Sequence, residues 1–109
     1  MALQHASSGQ VVQIQDGAAD LSQFSSIALA KTEQLELIRL VMPAGKAMPE
    51  HWVKGEITFQ CLQGEIEWTA HGRTVTLRGG EMLYLEGGAS HSLRAVQDSV
   101  ALLTILLRD

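Results

Sequence analysis

Turn residues recur so often along this chain that only short segments lie between them, which argues against long helices. The segment at 65–69 has the apolar–polar alternation of a β-strand, because Ile66 and Trp68 fall on one face while glutamates occupy the other. Glycine turns bound it, with Gly64 before the segment and Gly72 after it. No segment of helical length has the 3.6-residue period of an amphipathic helix. The sequence therefore predicts an all-β protein, folded as an antiparallel sandwich or barrel.

The same alternation and punctuation predict at least eight short strands. They fall at 11–14, 27–31, 35–42, 58–62, 65–69, 73–77, 82–85, 90–95 and 100–107. The stretch between the third and fourth of these contains Pro49 and Gly55 and is interpreted as a loop. The segments at 35–42 and 100–107 are apolar on both faces, which is more than one barrel interior can cover. We therefore expect a homodimer that buries the outer face of these two strands.

Length and composition fit one folded domain. The chain has 109 residues, of which 46% are hydrophobic and 18% charged, and we divide it into a flexible N-terminal tail at 1–10 and a single domain at 11–109. The formal net charge of −4 argues against nucleic acid or an anionic membrane as a partner. Cys61 is the single cysteine and cannot form an internal disulfide, and no secretion signal is visible at the N-terminus. A cytoplasmic location is expected.

Two histidines stand at fixed distances from glycines in two separate segments. Five residues separate Gly45 from His51, and Gly64 closes the first segment. In the second segment Gly80 and Gly88 precede His91, with two residues between Gly88 and the histidine. These spacings resemble the two signature motifs of the cupin superfamily, a resemblance that implies a jelly-roll barrel, or double-stranded β-helix, over about 35–107. It also implies that His51 and His91 lie within a few ångströms of each other inside the barrel.

The chain departs from the cupin pattern at positions that matter for metal binding. Val53 stands where the first motif has its second histidine, and Ile57 stands where it has its glutamate. In the second motif Glu86 replaces a proline and Ala95 an asparagine. A complete cupin set of three imidazoles and one carboxylate would hold iron, manganese, zinc or nickel. Valine and isoleucine cannot coordinate a metal ion, so no cofactor is certain.

One carboxylate could restore part of the missing set. Glu56 lies one residue before the expected ligand position, and strict strand alternation would point its side chain away from the barrel interior. The adjacent Gly55 could allow a bulge that turns this side chain inward. A metal site of His51 and His91, with or without Glu56, is therefore an open alternative to a site that binds no metal at all.

Two functions of different classes follow from the resemblance. The first is a binding domain whose barrel pocket, formed by His51, Val53, Ile57, Phe59 and His91, captures a small acid, sugar or aromatic metabolite. The alternative is a metal-dependent enzyme that acts on a small molecule as a dioxygenase, isomerase or lyase. A purely structural dimer module is a third reading. Cys61 shares strand parity with Ile57 and Phe59, which favours an interior position and an inert role, but alternation alone leaves its orientation open.

Overall fold

The computed structural model describes residues 5–15 and 20–107, and within these residues the secondary structure is entirely β. The nine strands are β1 Ser25–Lys31, β2 Leu35–Met42, β3 Ala47–His51, β4 Ile57–Gln63, β5 Glu65–Ala70, β6 Arg73–Arg78, β7 Met82–Leu85, β8 His91–Ala95 and β9 Ser99–Leu106. The predicted fold class is confirmed. No helix in the described part of the chain is long and apolar enough to cross a membrane.

The strands form two antiparallel sheets that face each other as a double-stranded β-helix. One sheet has the order β1-β2-β9-β4-β7, and the other has the order β3-β8-β5-β6. Strand β7 therefore ends the first sheet, while β3 and β6 are the two edges of the second. Most consecutive strands from β2 onwards lie in opposite sheets, with β5 and β6 as the exception, so side chains distant in the chain meet in the space between the sheets.

The core fills the space between the two sheets, as strand alternation predicts. Ile57, Phe59 and Cys61 point inward from β4 and are each no more than 3% exposed. Ile66 and Trp68 project from β5 on the opposite sheet, at 0% and 2% exposure. Trp68 packs against Phe59 with their ring centroids 4.8 Å apart. The two sheets are therefore held together by an aromatic pair as well as by aliphatic packing.

A segment before β1 covers part of the outer face of the five-stranded sheet. Leu21 packs on the buried outward-facing residues Val41 and Val100. The Arg39 guanidinium, in the middle of β2, donates a hydrogen bond of 3.3 Å to the carbonyl of Ile14. The segment before β1 therefore buries part of the apolar outer face that the sequence analysis expected a second copy of the chain to bury.

Two sequence expectations for the first half of the chain are wrong. Residues 11–14 form no strand, and Val11 is 82% exposed. Conversely, the stretch interpreted as a loop contains β3, which pairs with β8 through an irregular register between Met48 and His51. Pro49 is tolerated there because β3 is an edge strand, where a missing N–H leaves no partner unsatisfied.

The loops that follow β3 and β7 lie against each other at one end of the barrel. The N–H of Gly88 donates to the carbonyl of Val53 at 2.8 Å. A Cβ added to Gly87 would collide with the carbonyl oxygen of Lys54, so this approach requires glycine. The contact holds the loop that precedes His91 in the chain against the loop that follows His51.

Candidate functional site

The pairing of β3 with β8 places the two motif histidines side by side. His51 and His91 are direct cross-strand partners, and their ring centroids are 4.3 Å apart with the planes tilted by 59°. His91 is buried at 3% exposure, whereas His51 lies exposed at the end of the edge strand. The structure therefore brings together the two residues that the motif spacing selected.

Hydrogen bonds to the backbone set the tautomer of both imidazoles. His51 Nδ1 lies 2.9 Å from the carbonyl of Pro49, and His91 Nδ1 lies 3.0 Å from the carbonyl of Ala89. A carbonyl oxygen can only accept, so each Nδ1 carries the proton that it donates. In the neutral form both Nε2 atoms then keep a lone pair, which can accept a hydrogen bond or bind a metal ion.

Trp68 is a site residue that motif reasoning missed. Its indole stacks on the His91 imidazole with centroids 4.8 Å apart and planes within 8°. The two residues share a face on neighbouring strands, since Ala70 opposes His91 and Trp68 opposes Leu93. The Trp68 Nε1 is buried and has no hydrogen-bond partner among the described residues. The alternation of residues 65–69 predicts the strand face on which Trp68 lies, but Trp68 is outside both motifs, so the sequence does not predict its contact with His91.

The surroundings of His91 keep its imidazole neutral at physiological pH. Burial lowers the pKa of His91 below its ordinary value, and a positive charge on nearby His51 would lower it further. The hydrogen bond with the Ala89 carbonyl acts in the opposite direction and only partly offsets these effects. A neutral His91 offers Nε2 as an acceptor rather than as a cationic donor.

The expected metal ligands do not assemble into a complete set. Val53 and Ile57 pack in or against the hydrophobic core instead of facing an ion with polar atoms. Glu56 accepts a hydrogen bond of 2.5 Å from the Tyr84 hydroxyl, on the outer side of the five-stranded sheet. Among residues 5–15 and 20–107, no group of three or more His, Cys, Asp or Glu side chains could hold a metal. Two imidazoles alone fit only part of a coordination shell.

A cavity of about 220 Å³ lies beside Trp68, between the edge strands of the two sheets. Its walls come from β5, β6, β7 and the β5–β6 turn: Trp68, Ala70, His71, Arg73, Val75, Leu83, Tyr84 and Leu85. Of the five residues expected to line a pocket, none lines this cavity. Ile57 and Phe59 belong to the core, Val53 packs against it, and His91 lies behind Trp68. Trp68 connects the cavity with the histidine pair.

Cys61 lies in the interior, as its strand parity predicts. It is fully buried as a free thiol, and its Sγ lies 3.5 Å from the Gln63 carbonyl. Burial raises the pKa of the Cys61 thiol, with a smaller contribution from the Glu81 carboxylate. The thiol is therefore held in its unreactive protonated form.

Comparison with known structures gives the same fold. A conserved protein of unknown function from Streptococcus pyogenes superposes with a TM-score of 0.83 at 19% identity, covering 100% of this chain and 96% of its own. A cupin superfamily protein from Desulfitobacterium hafniense gives 0.83 at 18% identity, covering 99% of both chains. An RmlC-like cupin from Desulfovibrio desulfuricans gives 0.70 at 23% identity, covering 95% and 96%. At these identities the likeness concerns the fold alone.

No curated protein matches the sequence. The cupin domain family matches residues 38–106, which is more than half of the chain and includes both histidine motifs. The protein is therefore a member of the cupin domain family.

Proposed function

We propose that this cupin binds a small organic molecule in the cavity between β6 and β7. The observation that carries the proposal is the position of Trp68, which lines the cavity on one side and stacks on His91 on the other. The indole lies between a ligand in the cavity and the two imidazoles, so the polar groups that such a ligand could contact directly are those of the lining, His71, Arg73 and Tyr84. Small-molecule sites are commonly concave, mostly apolar and supplied with a few such polar groups.

The proposal is tested by filling the cavity from one strand. Val75 lines it, whereas the next residue, Thr76, lies on the exposed outer face of the same strand. We expect Val75→Phe to abolish the binding of small acids, sugars or aromatic compounds that stabilise the wild type in a thermal-shift panel. Thr76→Phe is the matched control and should bind as the wild type does. Undiminished binding by a folded Val75→Phe variant would show that the ligand lies elsewhere.

The second candidate is a metal-dependent enzyme acting on a small molecule. The observation in its favour is that both Nδ1 atoms are engaged by carbonyls, which leaves both Nε2 atoms available to an ion. A divalent iron, manganese, zinc or nickel ion held by His51 and His91 would supply Lewis-acid chemistry. Water would have to complete its shell, because neither Val53 nor Ile57 can contribute. Metal analysis of protein purified without a nickel column separates this candidate from the first.

We also propose where the protein acts and with what it assembles. The net charge of −4 disfavours nucleic acid and anionic membranes as partners, and a buried, reduced Cys61 is compatible with the cytoplasm. A homodimer is proposed because apolar outer-face residues remain partly exposed, with Leu106 at 40%. Cell fractionation tests the location.

A further inference from the structure

We propose that the cavity between β6 and β7 selects small organic acids, with the carboxylate held by Arg73 and the apolar body enclosed beside Trp68. This inference rests on the proposed function and adds the class of ligand. The apolar part of the cavity lining is formed by the Trp68 indole together with Ala70, Val75, Leu83 and Leu85. The polar residues of the lining are His71 and Arg73, in and directly after the turn that joins β5 to β6, and Tyr84 on β7.

Strand geometry directs Arg73 towards the cavity. Arg73 is the first residue of β6 and shares its face with Val75, which lines the cavity, and with Leu77, which is buried in the core. Successive residues of a strand point to opposite faces, so Arg73 occupies an inward position at the mouth of the barrel. Its own side chain is exposed, which keeps it accessible to an entering ligand.

Arg73 differs from the other arginines of its sheet because no acidic residue in the described part of the chain pairs with it. Arg78 pairs with Glu65 at 3.4 Å, and Arg94 pairs with Glu67 at 2.7 Å. Arg73 makes no ion pair or hydrogen bond through its side chain with any residue of the described part of the chain. In a chain with a net charge of −4, its guanidinium is a positive group that an anionic ligand can use.

Two carboxylates contact lining residues from outside the cavity. Glu86 lies 3.8 Å from the Nε2 of His71, and Glu56 accepts the hydrogen bond from Tyr84. Among the described residues, no Asp or Glu itself lines the cavity. Arg73 therefore gives this lining a positive formal charge, and a guanidinium can bind a carboxylate through two parallel N–H···O bonds.

The volume limits the size of the acid. Since a water molecule occupies about 30 Å³ in the liquid, a cavity of about 220 Å³ has room for roughly seven waters. A ligand on the order of ten non-hydrogen atoms fits this space. The apolar walls disfavour a second charge, because burying an unpaired carboxylate is costly. The expected ligand is a compact monocarboxylate with an aromatic or branched aliphatic body.

Benzoate and benzamide provide the test, because they have the same shape and differ in charge. Calorimetry on the wild type should show benzoate binding at least about tenfold more tightly than benzamide, since a charge-assisted pair is lost in the amide. Arg73→Ala should remove this preference, and Arg73→Lys should keep part of it. Arg78→Ala is the matched control, because it removes the same charge from the outer face of the same strand.

Each outcome separates this inference from the proposed function. Equal binding of the two probes by the wild type, abolished by Val75→Phe, would overturn carboxylate selection but leave small-molecule binding intact. A preference for benzoate that survives in Arg73→Ala would overturn the role of Arg73. Failure of both probes at millimolar concentration, when a neutral sugar or alcohol of the panel does bind, would overturn the acid class. Circular dichroism of each variant checks that the fold is retained.

Discussion

Removing Trp68 should cost far more stability than removing Trp52, the other tryptophan of the chain. Trp68 is 2% exposed and contacts both Phe59 and His91, whereas Trp52 is 63% exposed. Replacement of a buried tryptophan by alanine typically costs about 3–5 kcal/mol. Because Trp68→Ala also removes an unsatisfied buried N–H, which costs about 1 kcal/mol or more, we expect a net loss of about 2–4 kcal/mol. For Trp52→Ala the expected loss is below about 0.5 kcal/mol.

Urea unfolding followed by far-ultraviolet circular dichroism measures both losses. A domain of this length has a total stability of about 5–15 kcal/mol, so Trp68→Ala should remain folded but with a clearly lower midpoint. Trp68→Phe keeps an aromatic ring while removing the N–H, and it should cost less than Trp68→Ala. Equal losses for Trp68→Ala and Trp52→Ala would refute the role of Trp68 in joining the two sheets. A loss for Trp68→Phe as large as that for Trp68→Ala would contradict the contribution of aromatic packing, because both variants lack the N–H and only the ring differs.

Three further predictions concern the histidine pair and the assembly. The pKa of His91 is lower in the folded protein than its ordinary value of about 6.5. The contribution of His91 to the free energy of unfolding should therefore be fully present above that pH and decrease as the pH drops towards the folded pKa. Urea midpoints measured from pH 8 to 5 should show this decrease in the wild type but not in His91→Gln. Combining Val53→His with Ile57→Glu should strengthen zinc binding more than about tenfold in calorimetry, and no gain in a folded variant would contradict the motif register. Light scattering at micromolar concentration should give twice the monomer mass of 11.8 kDa, and a monomeric mass would contradict the dimer.

Strand positions could be predicted from the sequence where alternation and turns agree. The bounds predicted for β2 and β7 coincide with Leu35–Met42 and Met82–Leu85, because glycine, proline or polar turns stop each strand abruptly. Residues 11–14 have strand-like composition but no strand in the structure. Strand β3 shows the reverse, since its pairing with β8 compensates for Pro49. In both cases the tertiary partner, which local propensity cannot reveal, decided the outcome.

Motif spacing predicts the histidines of the candidate site, whereas the cavity depends on how the strands pack. His51 and His91 were identifiable because glycine spacing places each at a fixed point of its motif. The cavity was not, because it forms where β6 and β7, the edges of different sheets, approach each other. Strand alternation does not decide which pair of side chains at 82–85 points inward, and it does not show that space remains open beside Leu83. Trp68 joins the two regions by a diagonal cross-strand contact, which requires the strand pairing to be known.

Apolar residues of the core take the positions of the two missing ligands. Ile57 is part of the hydrophobic core and Val53 packs against it, so neither contributes a polar atom to the histidine pair. An apolar environment disfavours a charged imidazole, and burial is the main reason that the pKa of His91 is lowered. The neutral His91 keeps its Nε2 lone pair, but Trp68 lies between this imidazole and the cavity, so a ligand there would not contact it. Direct polar recognition of a ligand would therefore fall to the lining, where Arg73 is suited to a carboxylate, and the Arg73 variants test that contact independently of the histidines.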